Sequence, residues 1–506
     1  SLSMVQKYPG GDVVISPGTV IISAAAEVDD VRQTVTPALD PSHGAKIIYV
    51  DFSNDSFKLG GSSFAQVLNL LGDETPTVSD DTYFARAFDA VQQLIRKGVV
   101  LAGHDISEGG LVTALLEMTF PVPGTGINID LTPLGEDIIK VLFSENPGVV
   151  IQVSDEQAAR GILDEAKLKY HVLGEVTGDR TLSIRSKGGS RSLDIDSLRD
   201  TWFKTSYLLD SKQRPQHLAE ERFRNYKDQK LEYIFPPSFT GKLQSYGIDP
   251  LRRKPTGIRA AIIREKGVNG DREMAYSLYL AGFDVKDVHM TDLVSGREDL
   301  SDINLIVFVG GFSNSDVLGS AKGWAGAFLY NPKAKQALDN FYKRPDTLSL
   351  GVCNGCQLMM ELGLVYPEWK DHPKMHHNES GKFESIFLNI TIPENNSVML
   401  KSIAGSKLGV WVAHGEGRFV LPEERSQYTI AATYSHAGYP GTPSGSSHST
   451  AALCSKDGRH LVIMPHIERS LFAWNWPYYP AERKGDEVSP WIEAFVNARE
   501  WIKSIG

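Results

Sequence analysis

Leu348-Ser-Leu-Gly-Val-Cys353-Asn-Gly-Cys-Gln-Leu-Met-Met-Glu-Leu362 decides the fold of the second half of the chain. A short apolar run ends at Cys353, and a helical pattern starts directly after it, so a strand passes straight into a helix. Gly351 and Gly355 flank the join. Small residues on both sides allow a tight, strained turn that lifts a nucleophile out of a sheet. Amides at the start of the helix face the same point, where they favour a thiolate and can hold an oxyanion. Cys353 and Cys356 also spell C-x-x-C, which leaves a redox pair, half a zinc site or two structural thiols open. No second C-x-x-C or H-x-x-x-H completes a zinc site.

Working outward, Ile258–Arg264, Asn304–Val309, Ser349–Cys353, Gly409–His414 and His460–His466 read as strands, and Asp271–Ala281 as a helix. Strands alternating with helices at this spacing predict a mostly parallel sheet covered on both faces, with chemistry outside the carboxyl ends of its strands. Upstream, strands are predicted at Val20–Ala24, Ala45–Asp51 and Val149–Val153. Helices are predicted over Phe84–Arg96, Leu111–Met118 and from about Asp155 to Leu168. Charges of both signs crowd Lys212–Lys230, and Phe235-Pro-Pro-Ser-Phe-Thr-Gly interrupts regular structure, so 202–256 reads as a linker with one short helix.

A cysteine nucleophile needs a base, and the base needs an orienting partner. Leu461-Val-Ile-Met-Pro-His466-Ile-Glu468 supplies both, because residues i and i+2 at a strand end project to one side. A capped strand end with a surface charge is the plain alternative.

The whole chain has 506 residues, 41% hydrophobic and 23% charged, which is ordinary globular usage and excludes a disordered or fibrous protein. Its net charge of −10 argues against nucleic acid or an anionic membrane as the main partner. No apolar run is long enough to span a bilayer, and the first residues lack the apolar core of a signal peptide. Three cysteines exclude a disulfide framework; the expectation is a soluble, cytoplasmic protein.

Gly-Val-Cys353-Asn-Gly-Cys-Gln with Pro-His466-x-Glu468 resembles the class I (triad) glutamine amidotransferases. Further segments narrow the resemblance: Arg264-Glu-Lys-Gly-Val-Asn-Gly-Asp-Arg-Glu-Met, Gly310-Gly-Phe-Ser, His377-Asn-Glu-Ser-Gly-Lys-Phe-Glu and Val412-Ala-His-Gly-Glu-Gly-Arg-Phe. Together they look like the glutaminase domain of the phosphoribosylformylglycinamidine synthase family of de novo purine synthesis. Leu59-Gly-Gly-Ser-Ser, Gly103-His-Asp105-Ile-Ser107-Glu-Gly-Gly and Leu142-Phe-Ser-Glu-Asn-Pro-Gly resemble the second ATP-binding repeat of the same family, of the aminoimidazole-ribotide-synthetase type.

The resemblance implies an α/β fold in three parts. Residues 1–201 would be the later part of a synthetase repeat, 202–256 a linker, and 257–506 a flavodoxin-like class I glutaminase. It implies a triad of Cys353, His466 and Glu468, an oxyanion site at Gly311 and Asn354, and glutamine contacts at Asn378, Ser380 and Glu384. It also implies Asp105 as a Mg2+ ligand and Ser107 as a contact to ATP or ADP. The residues themselves leave open a plain positive-φ turn at Gly311, a surface loop around Asn378, and helix capping by Asp105 or Ser107. Glutamine and formylglycinamide ribonucleotide are the implied substrates. Ser1-Leu-Ser-Met resembles a point inside a repeat, so a longer polypeptide carrying a missing N-terminal synthetase half is expected. A glutaminase serving another acceptor, a silent nucleotide-binding scaffold and a cysteine peptidase of similar topology are the competing readings. Ile467 replaces the family's usual proline, and Thr442-Pro-Ser-Gly-Ser and Asn314-Ser315 depart from its loop patterns.

Overall fold

The structure, a computed structural model, describes residues 5–15, 22–42, 44–422 and 424–505. Of the strand expected at Val20–Ala24, Val20 and Ile21 lie outside the described residues, as does Ser1–Met4, while Ile22–Ala24 are not in a strand. The chain divides into two compact units, Ser1–Asp196 and Ser197–Gly506.

In the first unit, β1 (Val5–Lys7) and β2 (Val13–Ile15) pair as a small hairpin. The main sheet comprises β3 (Lys46–Asp51), β4 (Val100–Asp105), β5 (Gly126–Asp130), β6 (Gly148–Val153), β7 (Tyr170–Thr177), β8 (Thr181–Ser186) and β9 (Gly189–Asp194), in the order β4-β6-β3-β7-β5-β8-β9. All its pairings are antiparallel except β5 with β8. The interior strand β3 reads Ile47-Ile48-Tyr49-Val50, and all four side chains are buried. Ile47 and Tyr49 face one apolar layer, Ile48 and Val50 the other. A strand with helices on both faces needs this continuous apolar run. The helices are α1 (Ser63–Val67), α2 (Asp81–Arg96), α3 (Gly110–Thr119), α4 (Ile138–Phe143) and α5 (Glu156–Glu165). Asp80 caps α2 by accepting from Tyr83 N at 2.9 Å, and Tyr83, Ala87, Ala90, Val91 and Leu94 form its buried stripe.

The second unit begins within α6 (Ile195–Gln213), followed by α7 (Gln216–Asn225). The segment 202–256 therefore carries two helices where one short helix was expected. Its aromatic residues stack on each other, Phe203 on Tyr226 at 4.1 Å and Tyr207 on Phe223 at 4.9 Å between ring centroids. It also packs on the body of the unit. Arg214 Nη1 meets Glu384 Oε1 at 3.1 Å, Ile234 exchanges backbone hydrogen bonds with Lys407, and Phe235 joins Trp476 and Tyr479.

The main sheet of this unit has nine strands: β10 (Arg259–Arg264), β11 (Asp284–His289), β12 (Leu305–Phe308), β13 (Leu348–Val352), β15 (Glu384–Thr391), β16 (Lys407–His414), β18 (Thr429–Tyr434), β19 (Thr450–Cys454) and β20 (His460–Ile463). Two further strands, β14 (Lys374–His376) and β17 (Arg418–Val420), pair separately. The order is β11-β10-β12-β13-β20-β19-β18-β15-β16. From β11 to β20 every pairing is parallel, as the alternation predicts. From β20 to β16 every pairing is antiparallel, so the strand at Gly409–His414 lies at an antiparallel edge rather than among the parallel strands.

Helices α8 (Asp271–Ala281), α9 (Met290–Ser295), α10 (Lys322–Tyr330), α11 (Pro332–Lys343), α12 (Asn354–Glu361) and α13 (Ile492–Ile505) cover the parallel half. Trp324 and Trp491 are wholly buried in the core around it. Among the described residues no helix is long and apolar enough to cross a membrane.

Candidate active site

Strand β13 ends at Val352 and α12 starts at Asn354, leaving Cys353 alone at the join with φ 51° and ψ −108°. A non-glycine residue in this region is strained, and such strain gathers at functional sites. The neighbouring glycines show why the turn closes. A Cβ on Gly355 would lie 1.9 Å from Phe308 O, and one on Gly351 would lie 2.6 Å from Gly355 O. Cys353 N donates to Ile463 O at 2.9 Å, tying the elbow to β20. Gly355→Ala is therefore expected to cost more than about 3 kcal/mol, because rigid backbone rather than a side chain blocks the methyl group. Chemical denaturation of the variant checks this.

His466 follows β20 and is fixed at both ends. Its N–H donates to Trp411 O at 2.8 Å, and its carbonyl accepts from Ser470 Oγ at 3.0 Å. The ring's Nδ1 meets Glu468 Oε1 at 2.6 Å, with His466 2% and Glu468 3% exposed. Cys353 stands beside the ring, since a Cβ on Gly310 would meet both His466 Cε1 at 2.7 Å and Cys353 Cβ at 3.3 Å, while the thiol donates to Ala413 O at 3.5 Å. Burial alone would lower the imidazole pKa, but the Glu468 carboxylate, followed by Cys353, outweighs it and leaves it raised. Glu468 Oε2 is buried without a partner among the described residues. The three expected triad residues thus come together.

A cavity of about 250 Å3 opens in front of Cys353, lined among others by Gly311, Asp316, Gln357, Lys382, His414 and Glu416. Gly311 sits at φ 140°, and a Cβ there would lie 2.4 Å from Val268 Cα, so only glycine fits. Its two flanking residues bond to 267 and 269 (Phe312 N to Gly267 O, Asn269 N to Gly310 O), while the Gly311 amide makes no hydrogen bond among the described residues. Asn354, as the first helical residue, has an amide with no acceptor one turn back inside the helix. Its side chain is used otherwise, accepting from Ser313 N at 3.1 Å and donating to Gln357 Oε1 at 2.9 Å.

Asn378, Ser380 and Glu384 are buried behind the wall of this cavity and do not line it. Asn378 Nδ2 donates to His414 O and Lys382 O, and its Oδ1 accepts from Gly417 N at 2.9 Å. Glu384 Oε1 accepts from Ser380 Oγ, Tyr439 Oη and Arg214. The three brace the loops that do face the cavity. Asp316, Gln357, Lys382, His414 and Glu416 are lining residues the sequence reading did not single out. All but Asp316 sit inside motifs quoted for the resemblance, so the signal was the motif itself.

In the first unit Asp105 ends β4 with its side chain 75% exposed, and Ser107 is also exposed. Neither caps α3, whose N-cap is Gly109 with no side-chain bond. Glu145 Oε1 instead accepts from Gly109 N at 2.9 Å and from Ser63 N at 2.8 Å, taking two amides that a phosphate could meet. Among the described residues no group of three or more His, Cys, Asp or Glu could hold a metal ion. A lone carboxylate does not make a Mg2+ site, so the residues of this chain do not by themselves fit the ion.

Residues 257–502 match the CobB/CobQ-like glutamine amidotransferase domain, and residues 43–187 match the C-terminal domain of AIR synthase related proteins. The chain thus joins a glutamine amidotransferase domain to an AIR-synthase-related one. Over 100% of its length it is 40% identical to the Arabidopsis thaliana "probable phosphoribosylformylglycinamidine synthase, chloroplastic/mitochondrial", of which it covers 37%. Over 99% of its length it is 38% identical to the phosphoribosylformylglycinamidine synthase of Homo sapiens, of which it covers 40%. It is homologous to phosphoribosylformylglycinamidine synthases and spans about two fifths of the length of these curated relatives. The solved structure of PurLQS from Thermotoga maritima aligns with 50% of this chain and 99% of its own, at 24% identity and a TM-score of 0.38.

Proposed function

We propose that the second unit hydrolyses glutamine, and that the longer polypeptide uses the ammonia to convert formylglycinamide ribonucleotide to formylglycinamidine ribonucleotide at the expense of ATP. The carrying observation is Cys353 on its strained elbow beside the buried His466–Glu468 pair, with two free amides and a cavity in front of it.

The proton of the Cys353–His466 pair sits on the ring, and the Cys353 sulfur attacks the side-chain carbonyl carbon of glutamine. The oxyanion that forms is met by the Gly311 and Asn354 amides. His466 then returns the proton to the amide nitrogen, the C–N bond breaks, and ammonia leaves a glutamyl thioester. Water, deprotonated by the same ring, releases glutamate and restores the thiol. Glu468 holds the ring and offsets its charge. Asn378, Ser380 and Glu384 act by fixing the cavity loops.

End-to-end similarity to relatives about two and a half times as long supports the acceptor, the missing N-terminal half and a role for ATP. Asp105 and Ser107 are proposed to contribute to the Mg2+ and ATP sites only together with groups from outside this chain. Activating the formyl amide oxygen is what ATP would supply; no step above depends on it. The acidic charge and the three unpaired cysteines suit a cytoplasmic enzyme without a nucleic-acid or membrane partner.

The test is incubation with a glutamine-analogue alkylating agent, followed by intact-mass measurement and peptide mapping. One adduct on Cys353, prevented by glutamine, is expected. An adduct on Cys356, or none on the longer polypeptide supplied with ribonucleotide and ATP, would overturn the reading.

A further inference from the structure

A second cavity, of about 330 Å3, lies in the second unit where α6, the end of α7, strand β15 and the loop 436–441 meet. It shares no lining residue with the cavity in front of Cys353. The edge of β15 is open there. β18 pairs with β15 only at Ile390 and Thr391, and Ser435 N extends the contact by donating to Asn389 O at 3.1 Å. On its other side β15 pairs with β16, where Phe387 stands opposite Trp411. Trp411 N donates to Ser470 Oγ at 3.2 Å, and its carbonyl accepts from His466 N at 2.8 Å. Opposite residues of an antiparallel pair exchange both backbone bonds or neither. The Phe387 N–H and carbonyl therefore point away from β16, toward the edge that β18 leaves free, and meet no partner among the described residues.

Asn389 is an independent sign of a missing ligand. It is 2% exposed, its Oδ1 accepts from Glu232 N at 3.0 Å, and its Nδ2 has no partner among the described residues. A buried donor left unmet is costly, so an acceptor placed against it is favoured. Gln229 Nε2 donates to Gly438 O at 3.0 Å, which leaves Oε1 of the same side chain as an acceptor. Phe387, Asn389 and Gln229 all line the cavity, which thus holds donors and acceptors side by side. Phe203, Tyr226, Leu231, Leu388 and Pro440 supply apolar walls. The charge has one sign. Arg222 and Lys230 line the cavity and, among the described residues, no aspartate or glutamate does, although the chain carries a net charge of −10. Lys230 is exposed and makes no ion pair among the described residues, and Arg222 bonds Asp210 Oδ2 through Nη1 alone, at 2.8 Å.

Mixed donors and acceptors between apolar walls suit the edge of a planar heterocycle, and two cations without a facing carboxylate suit a phosphate. The volume lies at the small end of the range for ligand sites, which favours one nucleotide over a dinucleotide. We propose that this cavity binds a nucleoside 5′-monophosphate, its base edge on the Phe387 backbone and Asn389 Nδ2 and its phosphate on Arg222 and Lys230. The site belongs to the second unit alone and does not depend on glutamine hydrolysis. Arg222 also has a structural duty, since Asp210 holds Arg214 at 3.2 Å and Arg214 in turn meets Glu384. Lys230 and Leu231 carry no such duty and are the residues to vary.

The experiment is equilibrium dialysis of the whole chain against radiolabelled AMP, GMP and UMP, with the matching nucleosides, ribose 5-phosphate and inorganic phosphate as competitors. At least one nucleotide should bind, and its nucleoside and ribose 5-phosphate should each compete at least tenfold more weakly. Lys230→Glu should weaken that binding roughly fivefold to fiftyfold, the effect of reversing one charge close to a phosphate, whereas Lys230→Arg should keep it near the parent value. Leu231→Trp, which fills the cavity, should abolish it. Because Lys230 is exposed, Lys230→Glu decides the case if Leu231→Trp fails to fold. Absence of binding by all three nucleotides would overturn the proposal. So would ribose 5-phosphate or inorganic phosphate competing as well as the nucleotide, which would reduce the cavity to an anion site. Binding that Lys230→Glu leaves unchanged would place the nucleotide elsewhere on the chain and overturn it as well.

Discussion

Replacing Cys353 with alanine is expected to abolish the glutamyl adduct and to lower ammonia release by roughly 10^4- to 10^6-fold, the loss seen when the nucleophile of a triad is removed. Cys356→Ala is expected to leave the adduct forming near the parent rate. The two cysteines share one short motif but occupy unlike surroundings. Cys353 stands on the elbow at the cavity wall, whereas Cys356 is fully buried, and burial drives its thiol well above the ordinary thiol range. A protonated, buried thiol neither attacks a substrate nor exchanges with a disulfide. The paired variants, assayed by mass and by coupled glutamate detection, separate a nucleophile from the redox-pair reading. Loss of the adduct in both variants, or in Cys356→Ala alone, would favour the redox pair.

What the sequence made legible follows from the range of the interactions involved. The elbow could be read because its cause is partly local: a Cβ on Gly351 would meet Gly355 O, four residues on, although the backbone that excludes one from Gly355 is the distant Phe308 O. The His466–Glu468 pair is local as well, two residues apart on one extended stretch. The parallel half of the second sheet could be read from alternating strands and helices. The antiparallel half could not. Whether β15 pairs with β16 or with a parallel neighbour is settled by long-range contacts, and the pattern Glu384–Thr391 contains no sign of direction. Residues 202–256 carry more helix than their composition suggests, for another reason. Their charges suggest a solvated linker, but Phe203, Tyr207, Phe223 and Tyr226 lie at helical spacing, and their mutual stacking gives the two helices an apolar seam.

The candidate site divides in the same way. Gly310-Gly311 could be read because a glycine after a buried strand suggests an unusual φ, and Gly311 adopts one. The roles of Asn378, Ser380 and Glu384 could not be assigned from order alone. A polar residue in a motif can touch a ligand or hold the loop that does, and only the hydrogen-bond network tells these apart. Asp316 and Glu416 come from loops far apart in sequence and meet through Ser320, which neither local pattern nor spacing announces.

Glu468→Gln should separate what the carboxylate does for charge from what it does for geometry. Glutamine can still accept from His466 Nδ1, so the ring keeps its place, but the charge that outweighs burial is gone. The raised imidazole pKa of the parent chain then falls, and at neutral pH the ring is unprotonated and has lost the partner that stabilised its charged form. Proton transfer from Cys353 and to the departing nitrogen both suffer, so turnover should fall by roughly 10^2- to 10^4-fold. Iodoacetamide labelling at neutral pH should be slower in the variant than in the parent, because the ring beside the Cys353 sulfur no longer carries the charge that Glu468 holds there. Stability follows linkage with the same partner. A histidine whose folded pKa is raised contributes stability that is fully present below its unfolded pKa, about 6.5, and lost as the pH rises through the higher folded value. Denaturation midpoints of parent and variant should therefore lie furthest apart near pH 6 and converge at alkaline pH. A gap that stays constant with pH would mean that Glu468 acts on His466 by packing and hydrogen bonding alone.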